Sequence, residues 1–579
     1  MKLSKITYMA VAALMVFGAT SCEDFLDRPA EDSYNANNYY ANDDQCNAGV
    51  LYLYSSPWSD FTRGAFILVG ETMAGNIYQG QSPYLDFSVN GTDENLVFMY
   101  ESLWQVNAHA CQVYNNIRNA SGDITEETRN KCMGECLTLK ALAYFYLVRA
   151  FGDIPIIHDA TAEVSNGTFG DKHKVLKEDV YEYIIMTLEE AMRLLPKSND
   201  AGRIDYYCAE GLLAKVYLTR SGVTGTRSAD DLAKAAAYAK DVIDNSGRHL
   251  LGNYADVFRL ANNNSEESLI GWRWFGTTQP WTAQNFLQSS LAMQGFDEFG
   301  DCWGGWTAPS VNLQDDFGVD VLQSPANRID TDDRRKATMM MPGDVYEYFW
   351  QDKGGFNYLK FIYDADYAPG GPSGQLQSPT GVSCVKHLYG NSNDHYLGLG
   401  YYPSAQANGL ATHILRLSDV YLVYAEAMIG TGTSTTDESA IDAYYAVRSR
   451  SIHSATRPTQ ITWEDVWKER NLELACEGDR WYDYVRLSYY DPALAISKIR
   501  AQRRDQYYGL DALYSEYFES GAWNVNTTDT RYNTDAAIPN ITVEDFTLPK
   551  PTDDVAFNPN MSDDAEAVHE DVRALYSYE

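Results

Sequence analysis

The sequence predicts a mainly α fold: tetratricopeptide-like helical pairs form a scaffold, and a loop-rich subdomain containing short strands packs on it. Three observations predict this. Apolar and aromatic residues recur at threes and fours up to about residue 245 and again beyond 412. Alanine-rich stretches such as 209–218 and 232–243 come in pairs, and small side chains let two helices approach closely. From 250 to 411 the helical period fades while Gly, Asn, Ser, Pro and Trp accumulate. A structureless loop of that length is implausible inside a compact domain, so short strands and short helices are expected there.

Taken in order, the chain opens on a leader. Lys2 and Lys5 precede a nearly apolar run, 6–20, which is short of the ~20 residues a comfortable membrane span needs. Ala19-Thr20-Ser21 offers a small-x-small cleavage pattern, and Cys22 follows directly, with Glu23 and Asp24 behind it. Residues 1–21 read as a lipoprotein signal peptide with Cys22 as the lipidation site, so the mature chain is tethered to a membrane and does not span it. Plain secretion with an incidental cysteine is the alternative. Residues 22–60, rich in Asn, Asp and Tyr, read as a tether and irregular early loops.

Helices are expected at 95–118 and 126–151, the second stopped by Gly152-Asp153-Ile154-Pro155. Others follow at 178–195, 206–220 and 231–245. Gly354-Gly355, Gly370-Gly371-Pro372 and Pro403 punctuate the middle loops, and helices resume at 415–429 and 438–450. Arg470, Glu473, Glu477 and Arg480 are then spaced three, four and three apart, which on a helix forms a charged stripe. Gly478 is placed to stop that helix and Asp479 to cap the next. Leu548-Pro549-Lys550-Pro551 and Asn558-Pro559-Asn560 read as extended chain. The organisation is therefore leader 1–21, N-terminal helical region 22–250, loop-rich ligand-binding subdomain 251–411 and C-terminal helical region 412–579.

Bulk composition limits the function. The formal charge of −35 becomes −37 once Lys2 and Lys5 leave with the leader, 43 basic against 80 acidic residues. That excess argues against a nucleic-acid partner, whose phosphates need basic surface, and suits a neutral or cationic ligand. The 43 tyrosines and 12 tryptophans offer apolar faces with polar edges, compatible with sugar binding, although packing must account for most of them. Apart from Cys22, eight cysteines remain. They show no CxxC pair or zinc-finger spacing and read mostly as buried thiols. No HExxH, phosphate loop or GxSxG elbow is present.

The run 469–486, together with Leu139–Pro155, Leu415–Ala427, Val447-Arg448-Ser449-Arg450 and the proline-rich tail, resembles the SusD/RagB family of surface glycan-binding lipoproteins. The resemblance covers most of the mature chain and is weakest over 22–95 and 310–411. It implies the SusD-like fold with its tetratricopeptide-like helices, lipid anchorage at the outer-membrane surface, and capture of an oligo- or polysaccharide without cleavage. It also implies delivery to a TonB-dependent (SusC-like) transporter. Capture of peptide or another nutrient by the same arrangement is the alternative, and a surface glycoside hydrolase is less favoured.

Aromatic residues concentrate at 272–306: Trp272, Trp274, Phe275, Trp281, Phe286, Trp303 and Trp306. Of these, Trp274, Trp281, Trp303 and Trp306 are candidate stacking residues for sugar rings, with Trp58 and Tyr84 as further exposed candidates. Trp272 and Trp274 alternate as in a strand, so one or both belong to the core on the other reading. Glu473 and Glu477 have helical spacing that could mimic a hydrolase carboxylate pair. They share one face, however, and neighbouring Arg470 and Arg480 would hold them ionised, so an ion-pair network is expected instead. No catalytic residue, metal site or cofactor is expected. Structural calcium is left open, and Asp330-Thr331-Asp332-Asp333 reads as a solvated surface turn.

Overall fold

The computed structural model describes residues 39–277, 281–297, 302–372, 374–403 and 407–578. The expected leader and the expected lipidation site Cys22 lie outside them. Helices of nine residues or more are numbered α1 Asp43–Leu51, α2 Glu94–Asn119, α3 Glu126–Phe151, α4 Lys177–Leu194, α5 Tyr206–Arg220, α6 Ala229–Asn245, α7 Leu417–Ile429, α8 Glu438–Ser451, α9 Trp463–Leu474, α10 Arg480–Ser488, α11 Pro492–Arg500 and α12 Leu510–Ser520. Strands of three residues or more are β1 Ile77–Gln79, β2 Ser268–Trp272, β3 Thr307–Pro309 and β4 Thr412–Arg416.

The helices pack in succession: α2 on α3, α3 on α4, α4 on α5, α5 on α6, and α6 on α7, which also packs on α8 and α9. Helix α3 is the spine, with every residue from Cys132 to Phe151 buried. Thr125 caps its start by accepting from the Thr128 amide, and Gly152 ends it at φ 66°. Where α5 meets α6, buried Ala235, Ala236 and Ala239 permit the approach, and Tyr217 stacks on Tyr238 with centroids 5.7 Å apart. The expected long helices are all present within a few residues.

The middle of the chain is built from short pieces. β2 pairs antiparallel with β4, and β1 pairs antiparallel with β3 in the register Gln79↔Thr307. Both pairings fasten the loop-rich stretch to the helical array, because β4 runs directly into α7.

Several expectations need correction. Residues 39–60 are not irregular: α1 and two short 3₁₀ turns fill them, started by Asn42 accepting from the Gln45 amide. Asn558-Pro559-Asn560 is not extended, since Pro559–Met561 forms a 3₁₀ turn, and Thr552–Phe557 before it is helical. Pro559 occupies the first turn, where its missing N–H costs nothing. The eight cysteines among the described residues are free and buried, as expected.

Candidate functional site

Three of the expected rings stand at the surface of the loop-rich stretch. Trp281 is 49% exposed, Trp303 54% and Trp306 64%. Large apolar side chains left this open mark binding surfaces. Their backbones are held firmly. The Trp303 and Gly304 amides donate to the Ser289 and Ala292 carbonyls, both at 2.9 Å, seating the turn on the short helix Leu287–Leu291. A Cβ on Gly304 would fall on the Ser290 carbonyl, so this glycine is required by close approach to that helix. Trp306 runs straight into β3, and Trp281 leans on Phe286 at 5.2 Å. The rings therefore project from pinned elements and present preformed faces.

Trp303 and Trp306 border a groove of about 350 Å³, whose other walls include Arg63, Gln79, Asn95 and Leu291. Gln79 Oε1 is buried there without a hydrogen-bond partner among the described residues. A buried acceptor left unpaired is costly, and a ligand hydroxyl would satisfy it. Beyond Trp281 the aromatic surface continues. Phe275 is exposed, its amide donating to the Ala283 carbonyl at 2.8 Å. Tyr396 and Tyr402 are exposed and stacked on each other at 4.6 Å. Tyr401 packs edge-on to His395, and a Cβ on Gly276 would meet both, so the 275–276 and 392–402 segments touch. The sequence reading missed Gln79, Tyr396, Tyr401 and Tyr402. Gly400-Tyr401-Tyr402-Pro403 was the available signal, two rings between turn residues.

The other aromatic candidates are not at this surface. Trp58 is fully buried, stacked on Trp272 at 5.0 Å, and its indole N–H donates to the Leu53 carbonyl. Tyr84 is buried, and its hydroxyl donates at 2.6 Å to Asp93, the residue that caps α2. Trp274 is buried and donates to Thr412 Oγ1 at 3.0 Å. All three hold the frame and offer no free face to a ligand. Neighbouring Ser-Pro turns suggested exposure for Trp58 and Tyr84, but helical turns fold both rings inward.

The charged motif lies in the core, and its members do not pair with one another as expected, Arg480 and Glu477 included. Helix α9 ends at Leu474, so Glu477 is off the helix. Glu473 meets Arg334, Arg416 and Arg450, while Glu477 meets Arg416 and Lys386. Arg470 pairs with Asp419 and Asp483, and Arg480 with Asp483 while lying over the Trp467 ring. Burial opposes ionisation of Glu473 and Glu477. The surrounding cations nonetheless hold both carboxyls below the usual carboxylate range, the opposite of what a general acid needs. Asp479 does not cap α10 with its side chain; it pairs with Arg149 at 2.8 Å and Lys215 at 2.6 Å.

The turn between α9 and α10 is held by Glu71. Its two oxygens accept from the amides of Cys476, Gly478 and Asp479 and from Asn76 Nδ2. Gly478 sits at φ 80°, and a Cβ there would fall on the Phe66 ring. Within 330–333, Asp330, Thr331 and Asp333 are exposed, as a surface turn requires, with Asp330 pairing with Arg335 and Asp333 meeting His453; only Asp332 departs from that reading, buried against Arg334.

Comparison with known proteins agrees with this architecture. A sequence model of the SusD family matches residues 257–565, and one described as starch-binding associating with outer membrane matches 44–218. A SusD-like protein of Bacteroides ovatus is 31% identical over 578 residues, covering 97% of each chain. A solved structure described with a xylogluco-oligosaccharide is 28% identical, with a TM-score of 0.75 over 91% of this chain and 99% of the other. A laminarin-binding SusD-like protein, 20% identical with a TM-score of 0.62 over 90% of this chain and 98% of its own, shares the fold. With exposed rings on a helical frame, a family match over more than half its length and a relative at 31% identity, the chain belongs to the SusD family.

Proposed function

We propose that this chain captures neutral oligo- or polysaccharides at the cell surface without cleaving them and passes them to a TonB-dependent outer-membrane transporter. The observation that carries the reading is the set of exposed rings Trp281, Trp303 and Trp306, the last two bordering a groove furnished with Arg63, Gln79 and Asn95. Indole faces match the C–H faces of sugars, and guanidinium and amide groups match the hydroxyl rims. A relative solved with a xylogluco-oligosaccharide makes xyloglucan the first polymer to try. Open sites of a few stacked rings give affinities of about micromolar to millimolar, because ordering costs offset contact energy.

A binding role fits the electrostatics. Glu473 and Glu477 are locked in ion pairs in the core, away from the exposed rings. Lipidation at Cys22 would anchor the chain; none of the described helices is long and apolar enough to cross a membrane. The test has two arms. The purified ectodomain is offered to glycan and peptide panels with a reducing-sugar assay alongside. The full chain and its Cys22→Ala variant are extracted from native membranes. Glycan retention without new reducing ends, copurification of an outer-membrane transporter and release of the variant from membranes are expected. Peptide retention, hydrolysis, or extraction with no transporter would overturn the reading.

A further inference from the structure

A second cleft lies on the helical scaffold and shares no lining residue with the groove beside Trp303 and Trp306. It has a volume of about 560 Å³ and runs between one face of α2 and the C-terminal segment Pro551–Asp554. That size suits one or two sugar units or another small molecule. The tail is fastened over the cleft by the Thr552 amide donating to the Gly91 carbonyl at 2.9 Å, and a Cβ on Gly91 would clash with the Lys550 carbonyl.

The lining has two chemical halves. The floor is apolar, with Val97, Ala108, Ile157 and Ala160. Above it stands Trp104, half-buried, with Tyr100 and Tyr144 edge-on at 6.0 and 5.7 Å. No ring among the described residues lies parallel to it and no cation lies over it. The Tyr100 hydroxyl donates to Asp554 Oδ2 at 2.9 Å, so the ring that packs against the tryptophan on α2 is also tied to the tail. The rim carries the carboxylates Glu101, Asp553 and Asp554, and no Lys, Arg or His lines the cleft. Lys550, which neighbours Asp554, is buried and donates to the Phe151 carbonyl.

An indole over an apolar floor suits the C–H face of a pyranose. Carboxylates accept from hydroxyls and, more strongly, from an ammonium. An anionic sugar would meet three carboxylates and no cation in the lining, the neighbouring Lys550 being buried behind Asp554. We infer that this cleft is a second saccharide site, one that takes amino sugars in preference to neutral sugars and excludes uronic acids. It uses none of the residues of the proposed platform and stands or falls independently of it.

The test uses the full chain with Trp281, Trp303 and Trp306 replaced by alanine, so that the platform is silent. Deacetylated chitobiose, cellobiose and digalacturonate are titrated by calorimetry. Chitobiose is expected to bind more tightly than cellobiose, and digalacturonate not to bind. Trp104→Ala should weaken both binders at least ~10-fold, a difference calorimetry resolves readily. Asp553→Asn, at an exposed position, should narrow the margin by which chitobiose outbinds cellobiose. Crystals soaked in chitobiose should show it against Trp104. The inference is overturned if the platform-silent protein binds none of the three, if Trp104→Ala leaves the residual affinity unchanged, or if Asp553→Asn leaves the amine preference undiminished. Failure of the wild type to bind any polysaccharide while chitobiose still occupies the cleft would sink the platform reading alone.

Discussion

Two tryptophans of the same chain show what exposure decides. Trp306 is 64% exposed and Trp58 fully buried. Trp306→Ala should weaken glycan affinity ~10-fold or more, the loss of about one stacking contact, with an unchanged melting temperature. Trp58→Ala removes a ring packed on Trp272 and Tyr146 and should cost about 3–5 kcal/mol of stability. Affinity electrophoresis and thermal unfolding on the two variants separate these outcomes; a lowered melting point for Trp306→Ala would contradict its assignment. Glu71 supplies a second test at this scale. Both its oxygens face donors only, so in Glu71→Gln the amide NH₂ must face another N–H. The expected cost is about 1–3 kcal/mol, read by denaturant unfolding, and an unchanged midpoint would contradict it.

Elements were legible in proportion to their regularity. Helix α3 has a residue-by-residue apolar period, a Thr cap and a Gly stop, and its bounds follow from those alone. The corner between α9 and α10 was not legible, because Glu71, some 400 residues earlier in the chain, supplies its cap and no local pattern records that. The charged stripe misled for a related reason. Spacing reports which residues share a face, whereas partners such as Arg334, Arg416 and Arg450 come from other elements. Glu473→Gln/Glu477→Gln takes two buried carboxylates from a cluster in which Arg334, Arg416 and Arg450 keep only Asp332, Glu469 and Glu267 and should cost about 3–5 kcal/mol. The pH dependence has a definite sign. Glu473, Glu477 and Asp483 are held below their ordinary values by neighbouring cations against the opposing effect of burial. Their stabilisation is thus complete above the usual carboxylate range and is lost as pH falls below 4.5. Unfolding free energy should drop on acidification from pH 7 toward ~3, and the double variant should show a shallower drop. Equal slopes would contradict the assignment.

For the whole molecule, the helical frame and the aromatic concentration at 272–306 could be read from the chain, but which rings face outward could not. Trp272 and Trp281 lie nine residues apart in similar sequence; one is in a strand pair under Trp58 and the other on a surface turn. Tertiary contacts made that choice. The excess of negative charge bears on ligand class at this scale too. Binding of a neutral polymer should be nearly indifferent to salt, because no phosphate-like ion pairs form, and polygalacturonate should be a poor ligand; strong salt dependence would contradict the neutral-glycan reading. The central claim is that outward-facing rings on a rigid helical frame hold polysaccharide passively. Native affinity electrophoresis through gels containing xyloglucan and other neutral polysaccharides tests it most directly, comparing the wild type with the Trp281→Ala/Trp303→Ala/Trp306→Ala variant. Retardation of the wild type by at least one polymer, abolished in the triple variant at equal stability, is the predicted result. Equal mobility of the two proteins in every gel would contradict it.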